Sequence, residues 1–180
     1  IQITDYPKTG SIKLKLDLTK PAEFEMRLRL PSWSTHAKCS VNGSAVSGVS
    51  TGHYLDIKRH WKFGDTIDLE LDMGPWLWAG EKECNGKASL YWGPILLAYD
   101  PRFDSYAPTN LPTIDLSLPY VSANPSTQFP SPFLLKTFRT IDGKSVTLCD
   151  FSSAGMAGNR YVSWLRAEPL PKSALYDKRN

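Results

Sequence analysis

Carboxylates, histidines, cysteines and paired tryptophans are the side chains of this 180-residue chain that could do chemistry. Acid–base hydrolysis needs two carboxylates converging on one cleft. Asp56, Asp68, Glu70 and Asp72 instead recur at the spacing of outer-face strand residues, and Glu81 and Glu83 flank Lys82 in a loop. Solvated faces account for them all. His36, His53 and His60 fall in loops or at strand ends, without the tight spacing or carboxylate partners of a metal site. Cys39, Cys84 and Cys149 are odd in number and widely spaced, which fits neither a disulfide framework nor a zinc ligand pair. They read as reduced, structural thiols. No Ser/His/Asp order or phosphate loop stands out. The expectation is a chain with no catalytic residue, metal or cofactor of its own.

The indoles are the strongest candidates for function. In Gly74-Pro75-Trp76-Leu77-Trp78-Ala79-Gly80 a period of two sets Trp76 and Trp78 on one side of the segment. A flat ring with a polar N–H suits stacking on a sugar or anchoring a partner surface; the plainer alternative is that both cap a core. Trp33 and Trp61 each sit where a strand meets a turn and fit core or corner roles. Trp164 reads as a strand core residue.

The elements that must position these residues read as strands throughout. Ile12, Leu14, Leu16 and Leu18 alternate with polar residues, as do Phe24, Met26, Leu28 and Leu30, and then Ile67, Leu69 and Leu71. Each segment buries one face and wets the other, which favours an antiparallel sandwich. Thr19-Lys20-Pro21, Leu30-Pro31-Ser32, Asn42-Gly43 and Phe63-Gly64-Asp65 punctuate these runs as turns. Asn42-Gly43 suits a two-residue hairpin needing positive φ at both positions, and this explains Asn42-Gly43-Ser44 better than glycosylation does.

After Gly93-Pro94 the continuous apolar run Ile95-Leu96-Leu97-Ala98 predicts a strand covered on both faces, at the heart of a second sandwich. Residues 101–132 hold half of the 14 prolines and read as a long loop packed over the surface, with only Thr113 to Leu118 alternating. Strands are expected again at Phe133 to Phe138, Ser145 to Phe151 and Tyr161 to Leu165, and no amphipathic helix is evident.

Composition agrees with a globular protein: 41% hydrophobic and 22% charged, with no apolar run long enough to cross a bilayer. The net charge of +3 is small and both signs are interspersed, so neither nucleic acid nor a membrane is expected as partner. The basic cluster Lys58-Arg59-His60-Trp61-Lys62 reads as a solvated edge. The chain opens without methionine in the strand-like IQITDY, as a piece of something longer would.

Several motifs recur in a fixed order: Arg29-Leu30-Pro31-Ser32-Trp33, Val41-Asn42-Gly43, Gly52-His53-Tyr54, Arg59-His60-Trp61, Gly64-Asp65 and Gly93-Pro94-Ile95. In order and spacing this region resembles the β-sandwich part that follows the catalytic barrel in the β-L-arabinofuranosidase-like glycoside hydrolases, a family once catalogued as a domain of unknown function. The likeness covers roughly the first hundred residues and then rests on Leu148 to Phe151 and Tyr161 to Leu165. Trp92 departs from it, standing where relatives tend to carry a basic residue. The resemblance implies catalysis in an upstream helical (α/α) barrel by a cysteine nucleophile and a glutamate, with a zinc held by cysteines and glutamate. None of those motifs is matched here, and no catalytic residue carries over.

The resulting expectation is an all-β, jelly-roll-like antiparallel chain of two packed sandwich units, residues 1–86 and 87–180, or alternatively one continuous sandwich. It would serve as a non-catalytic accessory to a missing catalytic domain. Two alternatives stand beside it: a carbohydrate-binding module that holds plant-type glycans on Trp76 and Trp78, and a protein-interaction sandwich.

Overall fold

The computed structural model describes residues 1–122 and 132–170. Two compact units divide the chain, Ile1–Gly74 and the residues from Pro75 onward.

The first unit is built from β1 (Gln2–Thr4), β2 (Ser11–Lys15), β3 (Ala22–Arg29), β4 (Lys38–Val41), β5 (Ser44–Ala45), β6 (Tyr54–Trp61) and β7 (Thr66–Glu70). They form a five-stranded sheet, in the order β1-β2-β7-β4-β5, and a separate β3-β6 pair. All the pairings are antiparallel. The alternation places Leu55, Ile57 and Trp61 of β6, and Ile67 and Leu69 of β7, in one core with Leu16, Leu30, Cys39, Val41 and Leu71. Phe24, Met26 and Leu28 of β3 pack against it, while Glu25, Arg27 and Arg29 stay exposed. Each fully buried Leu or Ile here contributes about 1.5–3 kcal/mol.

The resembling motifs are the joints of this unit. Leu30 N donates to His53 O at 2.9 Å and Gly52 N to Leu30 O at 2.8 Å, which ties the Arg-Leu-Pro-Ser-Trp and Gly-His-Tyr segments together. Asn42 and Gly43 adopt φ values of 51° and 79° between the paired residues Val41 and Ser44, the geometry that turn demands. The Asn42 side chain donates to Asp65 Oδ1 at 2.9 Å and accepts from Thr66 N at 2.8 Å. Asp65 Oδ2 in turn accepts from Lys62 N at 3.0 Å, so the tip of the β4–β5 hairpin and the turn between β6 and β7 brace one another. Gly10 has its own reason: a Cβ there would lie 1.8 Å from Leu71 O.

The second unit contains β8 (Pro75–Ala79), β9 (Ala88–Trp92), β10 (Ile95–Tyr99), β11 (Ile114–Asp115), β12 (Val121–Ser122), β13 (Leu135–Arg139), β14 (Ser145–Asp150) and β15 (Ala167–Glu168). Its six-stranded sheet runs β12-β13-β14-β10-β9-β8. The apolar run after Gly93-Pro94 is β10, flanked by β9 and β14, and Leu97, Ala98 and Tyr99 are fully buried. Because β8 pairs with β9 from Pro75↔Trp92 to Ala79↔Ala88, Gly86 lies in the connection inside this hairpin. A boundary at 86 would separate its two strands.

Two expectations are corrected. Tyr161 to Leu165 is not a strand: Val162 bridges Tyr99 and Leu165 bridges Ala88, each alone. Those partners sit on different strands, so the chain must bend between them, and Trp164 is half-buried at that bend. The alternating stretch Thr113 to Leu118 yields only β11, which pairs in parallel with β15, an orientation that local alternation cannot foretell. Within residues 101–122, Leu111 and Ile114 are buried; the remainder of the proline-rich stretch, residues 123–131, lies outside the described residues. Among the described residues the only helical turn is the 3-10 segment Lys82–Cys84, and no helix is long and apolar enough to cross a membrane.

Candidate functional site

β8 is the edge strand of its sheet, and its alternation sets Trp76 and Trp78 on one side, across from Tyr91 and Ser89 of β9. Trp76 stacks on Tyr91 with ring centroids 4.3 Å apart and 14° between planes. Its Nε1–H donates to Gly93 O at 2.6 Å, so the polar handle is used within the unit. Trp78 is 36% exposed, the more available of the two indoles. Leu77 points the other way, opposite Leu90. The connection leaving β8 is closed tightly: a Cβ on Gly80 would lie 2.2 Å from Cys84 O.

On the opposite face, Trp92 is buried edge-on to Tyr120 at 4.4 Å, with Lys136 Nζ 3.9 Å from the Trp92 ring centroid. Burial pushes the Lys136 ammonium below its usual value. Trp61 is fully buried and donates to Phe24 O at 3.0 Å, and Trp33 packs half-buried at its turn, as core and corner roles require.

The other sequence candidates do not assemble. Asp56 pairs with Arg27 at 2.7 Å, Asp68 with Lys13 at 3.1 Å and Asp72 with His36 at 2.9 Å, in each case as exposed or partly exposed pairs. His53 contacts Thr51 O at 3.1 Å, and His60 is exposed on β6. Among the described residues no three His, Cys, Asp or Glu side chains converge to hold a metal. The three cysteines are free, and the Cys149 thiol is pushed up to about 12 by burial and by Asp100 and Asp150 nearby. It stays protonated at neutral pH and is unsuited to nucleophilic attack.

Sequence reasoning missed a buried polar network in the second unit. Asp100 accepts from Arg102 N at 2.9 Å, Arg102 Nη2 at 3.0 Å, Gly155 N at 2.8 Å and Asn159 Nδ2 at 2.7 Å. Asp150 accepts from Leu134 N at 3.0 Å and from Ser153 N and Oγ at 3.0 and 2.8 Å. Arg102 Nη2 also donates to Ser153 O at 2.6 Å, joining the two carboxylates. Both serve as tethers for the loops that follow β10 and β14. The available signal was an aspartate closing an apolar strand with an arginine two residues on.

Burial alone would raise the Asp100 carboxyl, but the bonds from Arg102, Gly155 and Asn159 outweigh it and hold the group below the usual carboxylate range. A depressed folded value means that this contribution is complete above the unfolded value near 3.9 and is lost as pH falls through the folded one. The stability of the second unit is therefore expected to decline below about pH 4. Chemical denaturation at stepped pH checks this, because Asp100→Asn should flatten that part of the profile; an unchanged slope would remove Asp100 as its source.

Residues 1–73, nearly the whole first unit, match the family model described as Beta-L-arabinofuranosidase, GH127 middle domain. No curated protein matches the chain. Among solved structures, one described as a glycoside hydrolase shares the fold with a TM-score of 0.73 at 22% identity, over 92% of this chain and 32% of its own. A GH127 beta-arabinofuranosidase gives 0.75 at 22% identity, over 93% and 31%. A GH127 beta-L-arabinofuranosidase from Geobacillus stearothermophilus T6 gives 0.76 at 19% identity, over 93% and 30%. The chain thus spans about a third of the length of these structures. The first unit thus matches the middle-domain model of the beta-L-arabinofuranosidases, and the chain as a whole shares its fold with these solved glycoside hydrolases.

Proposed function

We propose that the chain is a non-catalytic accessory region of an arabinofuranosidase-like glycoside hydrolase, which packs against and supports an upstream (α/α) barrel where catalysis takes place. The observation that carries this reading is coverage: three glycoside hydrolase chains hold this fold in only about a third of their length, leaving most of each to other structure. The chemistry of the described residues is in keeping with it. A retaining or inverting glycosidase uses two carboxylates about 5 to 9 Å apart in a sugar-sized cleft. Here the buried carboxylates Asp100 and Asp150 are occupied by structural donors, and the strand carboxylates Asp56 and Asp68 are paired with surface cations. The Trp76–Trp78 side of β8 is the proposed contact with the barrel, because a stacked aromatic edge strand supplies large apolar area at little rotamer cost.

A second reading, a carbohydrate-binding module, is favoured by the exposure of Trp78. Titrating the chain with arabinose-containing oligosaccharides while following tryptophan fluorescence separates the two, with a Trp76→Ala/Trp78→Ala variant as control. The accessory reading expects no saturable change and no sugar release by the chain alone. Quenching that saturates in the parent and vanishes in the variant would favour the module, and sustained hydrolysis by the purified chain would overturn the non-catalytic assignment.

A further inference from the structure

The second unit has an open pocket of about 360 Å³, within the size range of small-molecule sites, and nothing in the accessory role accounts for its lining. Segments distant in sequence meet there: Tyr106 and Asn110 from the loop after β10, Ile141, Asp142 and Lys144 from the β13–β14 turn, and Arg166 just before β15. Each is held in place. Arg166 Nη2 donates to Leu111 O at 2.6 Å, and Ile141 N donates to Thr113 O at 3.0 Å, so both sides of the pocket are tied to the segment that leads into β11. The Asp142 carboxylate accepts from Thr140 Oγ1 and is paired with Lys144 Nζ at 3.1 Å.

The chemistry of the lining is specific. Asp142 and Lys144 balance one another, whereas the hydrogen-bond partner of Arg166 is a neutral carbonyl, so the pocket keeps one uncompensated positive charge. A guanidinium presents a planar fork that matches a carboxylate. Ile141, 57% exposed, and Tyr106 supply an apolar and an aromatic surface for the C–H face of a ring, and Asn110, Asp142 and Lys144 supply donors and an acceptor for hydroxyls.

We infer that this pocket binds a carboxylated sugar ring, a uronate unit, with its carboxylate on Arg166, its hydroxyls on the Asp142–Lys144 pair and its apolar face against Ile141 and Tyr106. The pocket lies wholly in the second unit, so the inference stands or falls separately from the contact proposed for Trp76 and Trp78.

The test is a titration of the isotope-labelled chain with D-glucuronate, with D-glucose as the neutral match and acetate as the bare carboxylate, followed by amide chemical shifts. Glucuronate is expected to give saturable shifts at Tyr106, Ile141 and Lys144, with glucose and acetate at least about tenfold weaker, one charge-assisted bond being worth about that factor. Arg166→Gln should weaken glucuronate about tenfold and leave the glucose response unchanged. Because Arg166 also holds the Leu111 carbonyl, Ile141→Ser provides a second variant at an exposed position, expected to weaken glucuronate about threefold through lost apolar contact with an unaltered spectrum elsewhere. Equal affinity for glucose, saturation by acetate as tight as by glucuronate, shifts that map away from the pocket, or no shift at all would each overturn the assignment.

Discussion

Replacing Asp100 with alanine is expected to destabilise the second unit by about 3–5 kcal/mol, the loss seen when one partner of a buried ion pair is removed. The Arg102 side chain is 8% exposed, so the change removes the carboxylate paired with a largely buried charge. Gly155 N and Asn159 Nδ2 would lose their acceptor in the same step, releasing the loop that follows β14. Asp100→Asn retains the shape but not the charge, and a large share of the loss is expected to persist. Denaturation read through amide exchange of β10 and β14 measures the effect within this unit. A midpoint unchanged from the parent would mean that the network contributes nothing net to stability.

Trp61→Ala carries the second large effect. Trp61 is fully buried in the core of the first unit, and truncating a buried Trp costs about 3–5 kcal/mol in transfer and cavity terms. It also removes the Nε1 bond to the Phe24 carbonyl and leaves Phe24 without the ring 6.0 Å from its own. Trp61→Phe separates the terms, since it restores most of the apolar volume but not the hydrogen bond, whose net worth is about 1 kcal/mol. Amide exchange in β3 and β6 reports the result. A loss no greater for alanine than for phenylalanine would contradict the packing argument.

The two results probe features that differ in how they are written in the sequence. Trp61 was legible because a period of two carries Leu55 and Ile57 inward on the same strand and Phe63-Gly64-Asp65 stops it. Local period also placed Trp76 and Trp78 on one side of β8, and turn chemistry identified Asn42-Gly43. Asp100 was hidden because Arg102 is its only partner nearby in sequence, whereas Gly155 and Asn159, which complete the network, are more than fifty residues away. The same limit explains Trp164: apolar residues at Val162 and Leu165 imitate a strand, yet their partners lie on two different strands and force a bend. The pocket by Arg166 was equally unreadable, since its lining comes from three separated segments. What the motifs encode most directly is scaffold. The Asn42–Asp65 contact ties two turns together and the pairing of Leu30 with the Gly52–His53 segment extends the β3–β6 ladder, which is how purely structural contacts can carry a recognisable signature.

The accessory assignment is tested most directly by comparing hydrogen exchange in β8 and β9 between this chain alone and the longer polypeptide that includes the proposed barrel. If the Trp76–Trp78 side is the contact, the β8 amides that follow Pro75 should exchange markedly more slowly in the longer polypeptide, and Trp76→Ala/Trp78→Ala should return them toward the rate of the chain alone. Identical exchange in the two, with both folded, would contradict a contact through this face.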